Sequence, residues 1–186
     1  MPPTQQNEKQ NENFFKELIF FIVIAVIVVV PIRTYIAQPF IVSGASMSPT
    51  FETGEYLIVD QITYRADDPK RGDVIIFRYP NDTSQFFIKR IIGLPGETIE
   101  TEGDKVYITK PGEERELTNE PYIVFPRPTY QKTELEDDEY FVMGDNRLAS
   151  SDSRAWGPLK KQFIVGRALL RLFPVSKIDV KPGYNF

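Results

Sequence analysis

A polar segment followed by one long apolar run dominates the first part of the chain. Residues 1–13 show no hydrophobic period, a pattern that is typical of a disordered tail. The run from Leu18 to Ile32, LIFFIVIAVIVVVPI, carries no charge. As a helix it would rise about 22 Å, less than the ~30 Å hydrocarbon core of a bilayer, so the apolar and aromatic residues on both sides must extend it. The pattern predicts one membrane-spanning helix over residues 14–36.

A cleaved signal peptide is the alternative interpretation of this apolar run. Such a peptide needs a positive segment before the run, but Lys9 and Lys16 are outnumbered there by three glutamates. It also needs small residues at its cleavage site, where the sequence TYIAQ offers Tyr or Thr. We therefore favour a retained anchor, although the flanking charges do not determine its orientation.

Beyond residue 37 the hydrophobic pattern changes to that of β-strands. Short runs rich in Val, Ile, Tyr and Phe are separated by Gly, Pro, Asp and Asn: EYLIVDQITY, GDVIIFRYP, FFIKRIIG, DKVYITKPG, EYFVMG and QFIVGRALLRLF. No stretch there keeps a 3.6-residue apolar period for three turns. We therefore predict a mainly β domain over 37–186, whose antiparallel sheets form a folded-over sheet or partial barrel after the single transmembrane α-helix.

One part of this domain differs in composition. Residues 97–138 are richer in charge and proline, as in TKPGEERELTNEP and FPRPTYQKTELEDDE. This composition favours a hairpin excursion with a mobile loop, peripheral to the core of the domain.

The composition excludes several classes of function. A chain of 186 residues suits one domain with a short appendage. Its formal net charge of −4, without a basic cluster, gives no reason to expect nucleic acid as a partner. The chain has no Cys and no His, which argues against zinc, haem and Cys–His chemistry, so we expect no metal and no cofactor. Any general base must then be Lys, Asp, Glu or Tyr.

A cluster of serines lies shortly after the apolar run, in IVSGASMSPT. Ser43, Ser46 and Ser48 stand within six residues, and an ordinary turn has a similar composition. A Ser-His-Asp triad is impossible without His, and neither the G-x-S-x-G nor the S-x-x-K pattern is present. The remaining route to a nucleophilic serine is a lysine that is distant in sequence and adjacent in the fold.

Lys89, in FFIKRIIGLPGE, is the candidate partner for such a serine. Its strand neighbours are almost all apolar, and Arg90 faces the other way because side chains alternate across a strand. Burial would lower the lysine pKa from ~10.4 towards the ~7–8 of a general base, a shift worth roughly 4 kcal/mol. The alternative is a lysine that extends to solvent or forms an ion pair.

A third stretch, GDNRLASSDSRAWG, follows a strong strand pattern. It is small, polar and charged, as surface loops are, and Asp152 with Arg154 would then be an exposed ion pair of little energetic consequence. In a functional interpretation, the loop supplies a hydroxyl that orients the lysine amine and a charged pair that braces it.

Taken together, these stretches resemble a known family, the bacterial type I signal peptidases of the S26 group. Five segments carry the resemblance in order: SGASMSPT, GEYLIVDQITY, RGDVIIF, IKRIIGLPGE and GDNRLASSDSRAWG. The size, the single anchor and the short excursion are most similar to the compact Gram-positive and cyanobacterial or plastid members. The resemblance implies a membrane-bound Ser–Lys endopeptidase that forms an acyl-enzyme.

The resemblance also implies roles for individual residues. Ser46 matches the nucleophile and Lys89 the general base, while the backbone of Ser46, together with Gly44, would form the oxyanion hole. Gly44 stands where some members have a serine whose hydroxyl completes that hole, and Leu148 replaces a common acid. The supporting residues that orient or brace the lysine would be Ser150, Asp152, Arg154 and Asp145.

The same resemblance implies a substrate and a location. Signal peptidases cut exported precursors after small residues, typically Ala-x-Ala, in shallow apolar pockets whose walls here would be Phe40, Val42 and Ile88. The partners would be signal-peptide-bearing precursors, membrane lipid and, by proximity, the export translocon. The N-terminal tail would be cytoplasmic or stromal, and the catalytic domain would lie on the trans side of a plasma (inner) or thylakoid membrane.

Two other functions share parts of this pattern. Self-cleaving repressors have a related Ser–Lys β-fold, but they are soluble and carry a DNA-binding module, which this chain lacks. An anchored scaffold that has lost turnover is the non-enzymatic alternative, although it would have no use for an apolar-flanked lysine.

Overall fold

The computed structural model describes residues 3–31 and 37–184, and the chain divides into two compact units between Gln38 and Pro39. The first unit contains one helix, α1 (Pro3–Pro31). This helix includes most of the polar segment that the sequence analysis predicts to be disordered. No glycine or proline interrupts residues 4–30, and Gln, Glu and Lys are good helix formers, so the helical backbone extends through the polar residues.

The apolar side chains of α1 are exposed from Phe14 to Val30. Within the described part of the chain, no helix has the combination of length and apolar character that a membrane crossing requires. The transmembrane helix predicted over 14–36 is therefore not confirmed. Its last five residues, 32–36, lie outside the described residues.

The second unit is built from short strands, as the hydrophobic pattern predicts. All six predicted runs contain a strand, and the helices α2 (Thr63–Ala66) and α3 (Ser153–Trp156) are single turns. The twelve strands in the described residues are β1 (Ala37–Ile41), β2 (Tyr56–Asp60), β3 (Val74–Tyr79), β4 (Asp82–Gly93), β5 (Thr98–Gly103), β6 (Lys105–Thr109), β7 (Glu116–Leu117), β8 (Thr129–Glu134), β9 (Glu139–Met143), β10 (Leu159–Lys160), β11 (Ile164–Phe173) and β12 (Asp179–Val180).

The larger sheet carries the strand with the candidate lysine near its centre. Its strand order is β1-β2-β11-β3-β4-β9-β10, with β12 added to β11, and the neighbouring strands from β2 to β10 pair antiparallel, as do β11 and β12. In the β3–β4 register Ile75 lies opposite Lys89, and Val74 lies opposite Arg90. Since both faces of this part of the sheet are covered, Lys89 and Arg90 leave β4 on opposite sides and both become buried.

Residues 97–138 form a second sheet, in which β5 and β6 make a hairpin and β7 and β8 add to its two sides. Its order is β7-β6-β5-β8, and all its pairs are antiparallel. Ile99, Val106 and Ile108 pack with Phe141 and Met143 of the larger sheet in one core cluster. The excursion therefore has its own buried side chains, which its charge-rich sequence conceals.

A glycine allows the two sheets to meet closely. A Cβ atom at Gly93, the last residue of β4, would lie 2.6 Å from Ile99 Cδ1 and 2.8 Å from Leu135 Cδ1. Only glycine fits there without displacing the small sheet from the end of β4.

Candidate active site

The fold brings Ser46 and Lys89 into direct contact. Ser46 lies in the turn that follows β1, and the Lys89 Nζ donates a hydrogen bond of 2.7 Å to its Oγ. A second hydrogen bond of 2.9 Å, to the Ile88 carbonyl, fixes the direction of the amine. Ser43 is exposed, and Ser48 donates instead to Glu52 at 2.7 Å. Of the three clustered serines, Ser46 is therefore the one that contacts the lysine.

Burial gives Lys89 the protonation behaviour that a general base needs. Its side chain is almost fully enclosed, with 4% of the residue exposed, and its Nζ lies 5.2 Å from the centre of the Phe87 ring. Burial lowers the pKa of Lys89 from 10.5 to about 8, although the negative charges of Asp152 and Asp145 act in the opposite direction. Because desolvation is the larger effect, half of this lysine is neutral near pH 8.

The turn that contains Ser46 is anchored to the body of the domain. Met47 and Phe51 are buried in the core, and the Phe51 amide donates to the Met47 carbonyl at 2.9 Å. The Ser46 carbonyl accepts a hydrogen bond of 3.0 Å from the Asn146 amide, and the Thr50 hydroxyl donates to Asp145 at 2.6 Å. The loop after β9 therefore holds the turn at two points.

Asp145 joins this turn to the lysine strand. Its two carboxylate oxygens accept hydrogen bonds from Arg90 Nε at 2.9 Å and from Arg90 Nη2 at 2.6 Å. Both side chains are essentially inaccessible to solvent. Arg90 Nη1 donates further to the carbonyls of Gly72 and Gly183, so the buried guanidinium has partners in distant segments. The sequence places Asp145 among the supporting residues, and the structure places it directly beside the residue that follows Lys89.

Asp152 and Arg154 form a second buried pair. Arg154 Nε and Nη2 each donate to the Asp152 carboxylate at 2.8 Å, and the Gly144 amide donates to the same carboxylate at 3.1 Å. Burial alone would raise the pKa of Asp152, but the Arg154 guanidinium, the Ser150 hydroxyl and the Gly144 amide outweigh it, so this pKa lies below its usual range. Asp152 therefore keeps its charge and braces the loop, an arrangement quite unlike the exposed ion pair of the alternative interpretation.

Ser150 lies in the same region but does not make the predicted contact. Its Oγ is buried and makes no hydrogen bond to the Lys89 amine; the hydroxyl lies close enough to Asp152 to help lower the pKa of that carboxyl. Instead, Ser150 packs against Gly144, where an added Cβ would lie 2.4 Å from the Ser150 Oγ and 2.3 Å from the Ser46 carbonyl oxygen. Because Gly144 has no side chain, the Ser46 carbonyl and the Ser150 side chain can both pack directly against its backbone.

Gly44, predicted to take part in the oxyanion hole, has its own hydrogen-bond partner. The Gly44 amide donates to Thr53 Oγ1 at 3.1 Å, and the Thr53 hydroxyl donates in turn to the Gly44 carbonyl at the same distance. In this arrangement the Gly44 N–H donates to Thr53, and its role in an oxyanion hole stays a prediction. Among the described residues the Ser46 amide donates to no backbone carbonyl, so it is free to serve as a backbone donor.

A groove of about 410 Å³ leads to Ser46 and Lys89. Phe40, Val42 and Ile88, the three residues predicted to form the pocket walls, all lie along it. The Phe40 ring meets Phe86 edge to face, with 5.2 Å between ring centres, which narrows one part of the groove. The remaining lining includes Leu57, Ile76, Gln85, Phe87, Ala149 and Ser151.

Sequence reasoning missed several residues that support this site. Thr50 and Thr53 hold the turn that contains Ser46, and Glu120 forms an ion pair with Arg147 of the loop after β9. None stands out by pattern, since threonine after a turn and charge in a proline-rich stretch are both common at surfaces. No cluster of three or more potential metal ligands occurs in the described ranges.

Comparison with known proteins decides the family. The model of the family described as "Signal peptidase, peptidase S26" matches residues 15–173. The chain belongs to the signal peptidase family S26. Ser46, Lys89 and the loop after β9 all lie inside the matched range, so the contacts described above belong to the part of the chain that defines the family.

Full-length relatives of this chain are signal peptidases as well. A probable signal peptidase I-2 from Synechocystis is 36% identical and covers 95% of this chain and 82% of that protein. A signal peptidase I from Leptolyngbya laminosa is 37% identical over 95% of this chain and 90% of that protein. Signal peptidase I T of Bacillus subtilis is 34% identical over 94% of both chains. A crystal structure of a signal peptidase I from Enterococcus faecalis is 31% identical, covers 54% of this chain and 97% of that chain, and has a TM-score of 0.46.

Membership in this family gives the enzyme class. As a signal peptidase I, the chain is a peptide hydrolase that acts on precursors bearing signal peptides.

Proposed function

We propose that this signal peptidase cleaves its precursors with a Ser46–Lys89 dyad. The observation that carries the proposal is the 2.7 Å hydrogen bond between Ser46 Oγ and a buried lysine whose pKa is lowered to about 8. A serine hydroxyl is a weak nucleophile unless a nearby base accepts its proton. Lys89 is the group within hydrogen-bonding distance of Ser46 Oγ that can do so.

The dyad supports an acyl-enzyme mechanism. Ser46 Oγ attacks the scissile carbonyl carbon while neutral Lys89 accepts the hydroxyl proton. When the C–N bond breaks, the Lys89 ammonium returns this proton to the leaving amine, and Ser46 remains esterified. A water molecule that gives its proton to Lys89 then attacks the ester, and the Ser46 oxygen leaves and recovers a proton.

The Ser46 amide is the proposed donor to the oxyanion. Charge develops on the carbonyl oxygen in both tetrahedral intermediates, and a fixed backbone N–H at that position commonly lowers the barrier by about 3–4 kcal/mol. The hydrogen bonds from Asn146 to Ser46 and from Thr50 to Asp145 support this role, because they hold the turn before substrate arrives.

We further propose that the preferred precursors carry small residues before the cleavage site, as in Ala-x-Ala. Phe40, Val42 and Ile88 line the groove beside the dyad and leave shallow apolar space. An extended peptide would lie there as an added strand, with main-chain hydrogen bonds providing affinity and the pocket walls providing selection.

A membrane-bound location completes the proposal. The large apolar side chains exposed along α1 between Phe14 and Val30 support an interaction with lipid, which would place the enzyme near its precursors and the export translocon. The N-terminus would be cytoplasmic or stromal and the catalytic domain on the trans side. Fractionation of cells that produce the full chain tests this: we expect the protein in the membrane pellet after a carbonate wash, and recovery in the supernatant would contradict it.

The serine assignment is tested by comparing Ser46→Ala with Ser48→Ala. Both substitutions remove one hydroxyl from the same turn, but only Ser46 contacts Lys89. We expect Ser48→Ala to cleave a precursor and to be acylated by a serine-reactive inhibitor, and Ser46→Ala to do neither. Equal activity of the two variants would contradict the assignment.

A further inference from the structure

One segment of the excursion contacts the loop after β9, which includes Asn146 and Leu148. We call residues 118–125, TNEPYIVF, the connector. At its start, both the amide and the hydroxyl of Thr118 donate to the Val106 carbonyl of β6 at 2.9 Å. At its end, Phe125 forms a parallel bridge with Asn146, and the Leu148 amide donates to the Phe125 carbonyl at 3.2 Å. The connector is thus attached at one end to the small sheet and at the other to the loop after β9.

The middle of the connector covers the residue that follows the catalytic lysine. The Tyr122 ring lies over Arg90, with 4.1 Å between the guanidinium carbon and the ring centre. The Tyr122 hydroxyl donates to Glu120 at 2.9 Å, which fixes the ring in this position. Stacking of this kind favours a buried guanidinium and shields its ion pair with Asp145 from water.

Glu120 also forms a buried ion pair with the loop after β9. Its partner is Arg147, and the two side chains are 8% and 3% exposed. Arg147 Nε donates to the Gly144 carbonyl at 3.1 Å, and the Arg147 carbonyl accepts a hydrogen bond of 2.8 Å from Arg154. A buried arginine without a partner is strongly unfavourable, so Glu120 determines where this part of the loop can lie.

We propose that Glu120 and Tyr122 are positioning residues, through which the small sheet fixes the geometry of the Ser46–Lys89 dyad. Tyr122 acts on β4 through Arg90, and Glu120 acts on the loop that contacts Ser46 through Arg147. This inference rests on the proposed dyad function, and it gives the excursion a role in catalysis. The described lining of the substrate groove includes no connector residue, so the connector acts on the dyad and not on the bound peptide.

This arrangement predicts a specific kinetic signature. Tyr122→Leu removes the ring from Arg90, and Glu120→Gln keeps the shape of the side chain but removes the charge that faces Arg147. Small displacements of reacting groups cost up to about 100-fold in rate, so we expect both variants to lower kcat by about 10-fold or more while KM stays within about twofold. Tyr122→Phe retains the ring and should keep most of the wild-type kcat.

Matched controls come from the same excursion. Glu113→Gln removes the same charge from an exposed ion pair with Lys110, and Tyr130→Leu removes a tyrosine that is 83% exposed. Both controls should behave as wild type in cleavage of a precursor with an Ala-x-Ala site. Thermal unfolding followed by circular dichroism establishes that each variant is folded at the assay temperature, and the rate of Ser46 acylation by a serine-reactive inhibitor gives a second measure of dyad geometry.

Each result supports or overturns the proposal. Loss of kcat in Tyr122→Leu and Glu120→Gln, with recovery in Tyr122→Phe, supports it. Wild-type kcat in folded Glu120→Gln overturns the role of Glu120, and an equal loss in Tyr122→Phe and Tyr122→Leu overturns the role of the ring. Lys89→Ala is the reference: if it remains active, the dyad itself is misassigned, whereas an inactive Lys89→Ala with unaffected connector variants rejects this inference alone.

Discussion

Arg90 and Lys89 are consecutive buried residues of β4 with different partners: Arg90 pairs with a carboxylate, whereas Lys89 contacts a hydroxyl and a carbonyl. Arg90 faces a carboxylate, because Asp145 accepts two hydrogen bonds from its guanidinium at 2.9 and 2.6 Å. Lys89 has the Ser46 hydroxyl and a carbonyl as its hydrogen-bond partners, and burial lowers its pKa to about 8. One strand therefore holds an arginine paired with a carboxylate on one side and a lysine with a lowered pKa on the other.

The lowered pKa of Lys89 predicts the pH dependence of cleavage. Only neutral Lys89 accepts the Ser46 proton, so kcat/KM should rise with pH and reach half of its maximum near pH 8. Since Asp152 raises this pKa, Asp152→Asn should move the midpoint to lower pH among the variants that remain folded. A pH profile of precursor cleavage measures both values, and a midpoint that stays in place in Asp152→Asn would argue against the electrostatic link.

The same pKa has a consequence for stability. Folding lowers the Lys89 pKa from 10.5 to about 8, so between these values the unfolded chain binds more protons than the folded one. The contribution of this lysine to folding is therefore unfavourable below about pH 8 and diminishes as pH rises towards 10.5.

The Arg90–Asp145 pair predicts a large effect on stability. Asp145→Asn leaves a buried guanidinium without its carboxylate, and breaking a buried pair in this way costs about 3–5 kcal/mol of unfolding free energy. Thr50→Val removes a single hydrogen bond to the same carboxylate and should cost about 1–3 kcal/mol. Urea denaturation of the two variants measures these values, with Glu113→Gln as an exposed control, and a cost below 1 kcal/mol for Asp145→Asn would contradict the bracing role.

Thr53 predicts an effect on catalysis at a position with no direct contact to the dyad. Its hydroxyl bridges the amide and carbonyl of Gly44, and adjacent backbone hydrogen bonds join Val42 to Gly54 and Glu55. These contacts close the base of the loop that presents Ser46. Thr53→Val should therefore lower kcat by roughly 10-fold, and Thr53→Ser should restore it. Steady-state kinetics measure this, and equal activity of the Val and Ser variants would contradict the role of the hydroxyl.

The sequence predicts the strands whose residues are buried, because a continuous apolar run such as VIIF in β3 indicates a buried strand by itself. It does not predict β8, TYQKTE, where alternate residues are exposed and nearly all are polar. That strand forms because β5 pairs with it over six residues. The sequence therefore predicts a hairpin excursion, and the structure contains that hairpin within a four-stranded sheet.

In the site, too, the sequence predicts the main residues but not all of their contacts. Elimination of His and Cys, together with the resemblance to signal peptidases, predicts Ser46 and Lys89, which the structure places 2.7 Å apart. The hydrogen bond predicted between Ser150 and Lys89 is not formed, and the Gly44 amide is occupied by Thr53. Such contacts depend on side-chain directions and on loop closure, which a one-dimensional pattern does not contain.

The most direct test of the Ser46–Lys89 dyad compares wild type with Lys89→Ala, each purified as the full chain in detergent with lipid. Both are given a precursor with an Ala-x-Ala site, and the new N-terminus of the product is sequenced. The dyad predicts cleavage after the second Ala by wild type alone, with both proteins equally folded by circular dichroism. Cleavage by Lys89→Ala at the wild-type rate would contradict it, because another group would then have to accept the proton of Ser46.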